Sequence, residues 1–314
     1  MRIGLDVMGG DYAPESVIKG VCLAKKELAG EDTIVLFGKQ SVIEDLLSKE
    51  QCDKNQLQIV DCGEVVDMHD SPIKAFREKS SSSLAVGFAY LKKGLIDTFA
   101  SAGNSGAMLV GTMYSVGLME NVLRPCLAAL IPKAKQGVTV LLDVGVDTDT
   151  KPEVLCQFGL LGSYYAENSL GIKNPRVSLL NIGEEEGKGN LQSKAAYQLM
   201  KESKYNFVGN AEPSEIFKDN TDVIVCDGFV GNLLMKNIES FAKTIAKRGL
   251  VDEFIGRFNY EIYGGLPLLG ANGVVIIGHG VSNDKAIKSM IFQSKKIYES
   301  GMVESLRNVL QTNK

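Results

Sequence analysis

Six times along this chain a short apolar run ends in a glycine- or carboxylate-bearing loop and then gives way to a segment with helical spacing. RIGLDV leads through MGGDYAP into SVIKGVCLAKKEL, and LIDTFA leads through SAGNSGAM into LVGTMYSVGLM. VTVLLDV leads through GVDTDTKP into a helix beginning near Glu153, and VSLLNI leads through GEEEGKGN into SKAAYQLMKE. DVIVCD leads through GFVGN into LLMKNIESFAKTIAK, and GVVIIG leads through HGVSN into KAIKSMIFQSKKIYES. Near-continuous Val, Ile and Leu runs that alternate with helices specify strands buried on both faces. The expected fold is therefore α/β, with a mainly parallel sheet covered by helices on both sides.

Nothing between the repeats reads as a linker, and SSSS at 80–83 reads as a loop carrying a helix N-cap. The expectation is one compact unit spanning 1–314, an arrangement that also admits two lobes around a cleft. With 45% apolar residues among 314, the chain can bury a sizeable core without disulfide or metal staples. Its six cysteines are scattered through apolar stretches with no C-x-x-C, as expected of reduced thiols in a cytosolic protein. The charges are interspersed and sum to −4, which excludes a nucleic-acid footprint. The opening MRIGLDVMGGD has no apolar signal segment, and the uncharged stretch Thr98 to Met119 carries too many polar and glycine residues for a membrane span. A cytoplasmic location is expected.

In sheets of this kind ligands bind beyond the carboxyl ends of the strands, where the six loops lie. SAGNSGAM is the densest of them. Gly103 and Gly106 permit close approach of the backbone to a ligand, and the helix that follows offers free N–H groups and a positive dipole end. One such loop is consistent with a tight turn. Six converging loops point to a phosphate-like or acyl ligand.

Other chemistries lack their signatures. No G-x-G-x-x-G follows a strand, and Gly183-Glu-Glu-Glu-Gly187-Lys188-Gly189 falls one residue short of a P-loop and lacks its hydroxyl. With two histidines, no HExxH and no cysteine cluster, no zinc site is expected, and G-x-S-x-G is absent. His279, between two glycines after VVIIG, is the histidine in a site-like position, reading equally as functional or as loop structure. His69, in a polar loop before Pro72, reads as structural or solvated.

Seven segments in order, from MRIGLDVMGGDYAPESVIKG through SAGNSGAM, LLDVGVDTD-KPEVLCQFGLLG, PRVSLLNIGEEEGKG, NFVGNAE and DVIVCDGFVGN to GGLPLLG-x-x-GVVIIGHG, resemble the phosphate acyltransferase family PlsX. The resemblance runs from Met1 to about Ala286. It implies a three-layer α/β/α sandwich similar to isopropylmalate dehydrogenase and phosphotransacetylase, in a homodimeric enzyme of bacterial phospholipid synthesis. That enzyme would move a fatty acyl group from acyl carrier protein to orthophosphate. The acyl phosphate would pass to a membrane glycerol-3-phosphate acyltransferase of the PlsY type. The chain departs from the family pattern at Tyr12, Ser105, Asp147 and IPKAKQG, where the family favours His, Thr, Asn and a Pro-Thr segment. The stretch between GFVGN and GGLPLLG is also shorter. A related transacylase using coenzyme A thioesters and a non-catalytic phosphate-binding protein are the rival readings.

The reaction so implied asks for little machinery. Phosphate is already an anion at neutral pH, and a thiol with a pKa of about 8.5 leaves readily. What remains is to hold the reactants together and to stabilise a tetrahedral oxyanion, which needs donors and a positive charge but no metal or cofactor. By motif match, Lys188 supplies the charge and Asn232 a neutral donor, with His279 available to protonate the departing thiolate. Lys188 also reads as a solvated lysine at a helix start, and Asn232 as an N-cap. The substrate-binding candidates are Asp6, Gly9, Gly10, Asp11, Gly103, Asn104, Ser105, Gly106, Asp143, Gly145, Gly183, Asp227, Gly228 and Gly231. Their aspartates also read as helix caps or loop-ordering groups.

Between Leu233 and Leu269, Leu234, Ile238, Phe241 and Ile245 recur at helical spacing with Lys236, Lys243 and Lys247 off the stripe. The stripe is expected to pack on the core or a second subunit. A weak membrane contact, with Leu250, Phe254, Ile255 and Phe258 as an apolar tip, is its functional reading.

Overall fold

Each of the six apolar runs forms a strand and each following segment a helix. The computed structural model describes residues 1–28 and 30–312. The first part of the chain runs β1 (Arg2–Asp6), α1 (Glu15–Lys25), β2 (Thr33–Gly38), α2 (Gln40–Lys49), β3 (Leu57–Asp61), α3 (Pro72–Glu78), α4 (Ser83–Lys92), β4 (Thr98–Ser101) and α5 (Ser105–Gly111). It continues through β5 (Cys126–Leu127), β6 (Ala129–Pro132), β7 (Val138–Leu142), α6 (Pro152–Leu170), β8 (Val177–Leu180), α7 (Leu191–Lys201), β9 (Phe207–Ala211), β10 (Val223–Val225), α8 (Gly228–Lys247) and α9 (Glu253–Gly256). Last come β11 (Gly265–Leu269), β12 (Val274–Gly278), α10 (Asp284–Glu299) and α11 (Met302–Thr312).

The chain divides into two compact units, one made of Met1–Leu118 with Tyr260–Glu299, the other of Met119–Asn259 with the chain from Ser300 onward. The repeats fall three and three on two sheets, a division the repeat pattern did not mark. In the first unit the hydrogen-bonded order is β3-β2-β1-β4-β12-β11, parallel except where β11 runs against β12. In the second it is β6-β7-β10-β8-β9, parallel except for the edge strand β6.

Every residue of β4, β12 and β10 is buried, as the unbroken Val/Ile runs require. In the first unit, Phe37, Phe88 and Phe99 meet edge to face with centroids 4.9–5.7 Å apart, and Gly87 of α4 leaves no room for a side chain beneath Phe99. α1 lies against α10, where Gly20 seats on Ile287. In the second unit, α6 carries the largest buried side chains, Phe158 and Tyr165, and Gly162 brings it onto Val223 and Leu142. Ser82 caps α4 by accepting the Ala85 N–H at 3.3 Å, as the SSSS loop predicts. The six cysteines are free thiols. Among the described residues no helix is long and apolar enough to cross a membrane.

At the amino ends of β8 and β10 sits an ion network. Asp222 takes Arg176 Nε at 2.9 Å and Lys133 Nζ at 2.7 Å, and Asp219 joins from outside. Burial alone would raise the Asp222 pKa, but Arg176 and Lys133 overcome it and hold the carboxylate ionised. This network lies at the opposite strand ends from the six loops and has a structural role.

Candidate active site

In the first unit the loops after β1 and β4 interlock through Asp6. Its carboxylate accepts the Ser101 hydroxyl at 2.6 Å and the Met8 N–H at 3.0 Å, and Ser101 in turn accepts the Gly103 N–H at 2.9 Å. A Cβ at Gly9 would strike the Asp6 carboxylate, Ser101 and the backbone of Gly103, so this crossing admits only glycine. Burial raises the Asp6 pKa, opposed by hydrogen bonds from Ser101 and Ser83 and from the Met8 and Gly9 N–H groups. Asp6 is therefore a buried loop-ordering group. Gly10 takes φ +117°, and Asp11 is exposed with its N–H on the Gly280 carbonyl at 2.8 Å.

SAGNSGAM now resolves residue by residue. Asn104 caps α5 through the Ala107 N–H at 3.0 Å, while its amide donates to the carbonyls of Asp67, Met68 and Asp70 at 3.0–3.2 Å. Gly106 lies against Pro72 with no space for a Cβ, and Ser105 is the exposed member. Asn104 is thus occupied in tying the 67–70 loop to the helix start. His279 accepts the Val281 N–H on Nδ1 at 3.3 Å, which places the proton of a neutral ring on Nε2.

In the second unit Asp143 plays the part of Asp6. It is fully buried, and its carboxylate accepts the N–H groups of Leu127 (2.9 Å), Gly145 (3.3 Å), Val146 (2.9 Å) and Asp147 (2.7 Å). Burial raises its pKa against those bonds. With its lone pairs so occupied, Asp143 organises the loop. The same loop receives the start of α8: the Gly228 N–H donates to the Asp147 carbonyl at 2.8 Å, and the Asn232 amide donates to the Val144 carbonyl at 3.0 Å. Gly145 takes φ +137° directly beside the Asn232 amide, and Gly231 admits no Cβ because the Asp143 carbonyl fills the space. Asp227 is the cap of α8, accepting the Val230 N–H at 2.8 Å. Asn232 lies inside the first turns, so its N-cap reading is excluded. Its position also explains the misplaced helix start: GFVGN looks like a loop but already belongs to α8.

Lys188 lies in the turn before α7, 49% exposed, with Nζ 3.7 Å from Glu185. Its carbonyl accepts the Asn181 amide at 3.2 Å, Asn210 holds the Glu185 carbonyl at 2.8 Å, and buried Gly183 lies against the Lys188 side chain. The structure thus gathers the candidates into a cluster at Asp6, Gly9 and Gly103, a cluster at Asp143, Gly145, Gly228, Gly231 and Asn232, and the Gly183–Lys188 turn. Lys188 and Asn232 belong to the second unit and His279 to the first.

Sequence reasoning missed Ser101, Asn181 and Arg124. Ser101 and Asn181 sit at strand ends inside quoted motifs, where a polar residue closing an apolar run was the available signal. Arg124 lies outside every repeat, and its Nε stands 3.9 Å from the Asp147 carboxylate.

The α8 stripe is rotated from its expected position. Gly228, Gly231, Met235 and Ala242 are buried, Leu234, Ile238 and Ile245 are half-buried, and Phe241 is 67% exposed. Phe254 and Phe258 do not form an exposed tip. They stack edge to face with each other at 5.0 Å and with Phe217 at 6.3 and 6.2 Å, leaving Leu250 and Val251 exposed.

A family model described as "Fatty acid synthesis protein" matches residues 1–248. A curated protein named phosphate acyltransferase from Caldicellulosiruptor bescii is 42% identical over 98% of this chain and 97% of its own length. Another of that name from Desulforamulus reducens is 40% identical over 100% and 98%. Among solved structures, a phosphotransacetylase from Streptococcus pyogenes superposes with a TM-score of 0.67 at 16% identity, covering 97% of this chain and 94% of the other. At that identity the likeness shows the fold alone.

Proposed function

This chain belongs to the phosphate acyltransferase family, and on that premise we propose that it transfers a fatty acyl group from the thioester of an acyl carrier protein to orthophosphate, in phospholipid synthesis. The observation that carries this reading is identity of 42% over essentially the whole of a named relative, spanning all six strand-end loops.

A phosphate oxygen attacks the thioester carbonyl carbon, a tetrahedral oxyanion forms, the C–S bond breaks and the thiolate takes up a proton. Lys188 offers a half-exposed ammonium on a turn pinned by Asn181. Asn232 spends one amide N–H on Val144 and retains a second for the oxyanion. His279 is proposed as the proton donor to the thiolate on the motif match alone, its Nδ1 accepting the Val281 N–H. Asp6 and Asp143 act on the loops: Asp143 is buried and taken up by four backbone N–H groups, and Asp6 is buried and taken up by the Ser101 hydroxyl and the Met8 N–H. We extend the proposal to a homodimer that touches anionic lipid weakly through Phe241, Leu250 and Val251, beside Lys243 and Lys247. In that setting the product passes to a membrane acyltransferase of the PlsY type.

Phosphate-dependent thiol release tests the donor. Parallel assays with a long-chain acyl carrier protein and with the matching coenzyme A thioester are expected to favour the carrier protein. Equal or better rates with coenzyme A would move this chain to the rival transacylase reading.

A further inference from the structure

We propose that Arg124 is a second cationic contact for the phosphate group of a substrate, held against the loop after β7 by Asp147; this rests on the functional reading above. The strand-end loops of the second unit are rich in acid. Asp147 and Asp149 lie after β7, Glu184, Glu185 and Glu186 after β8, and Asp227 after β10. A phosphate dianion entering such surroundings needs more than one positive partner, and Lys188 already leans on Glu185 at 3.7 Å.

Arg124 is built to be that partner. Pro125 follows it and holds the backbone extended, Pro125 and Cys126 are buried, and the preceding Leu123 N–H is anchored on Gln157 of α6 at 2.7 Å. The base of the side chain is therefore fixed while the side chain itself is 55% exposed. Asp147 is fixed as well. Its N–H is on Asp143, its carbonyl accepts the Gly228 N–H and the Thr150 hydroxyl, and its carboxylate is 19% exposed. The pair meets through Nε at 3.9 Å, too long for a hydrogen bond, so Asp147 steers the guanidinium without using its two-pronged end. That end presents parallel N–H groups matched to two phosphate oxygens, which a lysine cannot do. The same loop carries the Val144 carbonyl that holds Asn232, so Arg124 and Asn232 share one rigid support. The phosphate has two possible sources, orthophosphate itself or the phosphodiester of the carrier protein's pantetheine arm.

The test compares wild type, Arg124→Gln and Arg124→Lys by steady-state kinetics and by calorimetric titration with inorganic phosphate. Arg124→Gln is expected to weaken one phosphate-bearing partner about ten- to a hundredfold at little change in Tm, with Arg124→Lys recovering part of the loss. A raised KM for orthophosphate with weaker titration identifies orthophosphate; a raised KM for the acyl donor alone identifies the pantetheine phosphodiester. Unchanged KM values and unchanged titration in a folded Arg124→Gln protein would overturn the proposal. If Arg124→Gln fails to fold, Arg124→Lys decides, because wild-type values for a lysine at this position would contradict the need for a forked donor. Absence of acyl phosphate from the wild type would instead defeat the functional reading, and the phosphate titration would still settle Arg124.

Discussion

Asn232 donates its amide to the Val144 carbonyl at 3.0 Å, joining the first turns of α8 to the loop that follows β7. The bond gives one side chain two tasks, fixing the loop and presenting a second N–H. Replacing Asn232 with Ala is expected to lower kcat/KM by roughly two to three powers of ten, as for an oxyanion donor, and stability by about 1 kcal/mol for the lost hydrogen bond. Steady-state kinetics beside thermal melts check both, and a folded variant of normal activity would limit Asn232 to loop structure.

Lys188 separates the two quantities more cleanly. Being half-exposed on a turn held by Asn181, it contributes nothing to a core. Lys188→Ala should lose roughly two to three powers of ten in kcat/KM while stability moves by no more than about 0.5 kcal/mol. Near-wild-type turnover would take Lys188 out of the reaction.

Gly231 tests the close approach itself. A methyl group there meets the Asp143 carbonyl, and Cys226 Sγ lies 2.8 Å away, so α8 must shift off the loop. Gly231→Ala is expected to cost about 1–3 kcal/mol from overpacking and to reduce activity along with it, whereas Gly187→Ala, where a Cβ meets nothing, should leave the melting temperature unchanged. Comparable melting of the two variants would contradict the interlock.

Much of this was legible in the sequence, and the reasons differ by residue. The six strands were readable because runs such as VVIIG and VIV are buried on both faces and carry no polar interruption. Their division between two sheets was not, because β-pairing partners are chosen by tertiary contacts that leave no local mark. The cap of α8 fell five residues earlier than the apolar stripe suggested, at Asp227 in place of Asn232, since Gly228 and Gly231 are used for close packing inside the helix and GFVGN therefore mimics a loop. Asp6 and Asp143 were found as residues, but their burial, the four N–H groups on Asp143 and the Ser101 hydroxyl on Asp6 could be seen only in three dimensions. Arg124 has no spacing or motif to announce it and is brought to Asp147 by the fold.

Asp222 supplies a pH test remote from the loops. Although burial pushes its pKa up, Arg176 and Lys133 bring the folded value below the ordinary carboxylate range. Its contribution is therefore fully present above the unfolded pKa of about 3.9 and is lost as pH falls towards the folded value. Asp222→Asn leaves Arg176 and Lys133 with Asp219 as their remaining carboxylate and should cost about 1–3 kcal/mol at pH 7, and the gap from wild type should narrow as pH is lowered below about 4. A gap that stays constant from pH 7 to pH 3 in denaturant titrations would contradict the assignment.

Removal of metal bears on the mechanism. Phosphate is already a nucleophilic anion and the thiolate leaves without Lewis-acid help, so exhaustive dialysis against EDTA should leave the rate unchanged. A large loss restored by magnesium or zinc would require a different chemistry.

The central claim is that the acyl group ends on phosphate. Purified protein incubated with long-chain acyl carrier protein and orthophosphate, with hydroxylamine added to trap the product as its hydroxamate, measures this directly. Hydroxamate should rise with phosphate concentration above the phosphate-free background, one equivalent for each free carrier-protein thiol released. Thiol release without phosphate-dependent hydroxamate would contradict the account.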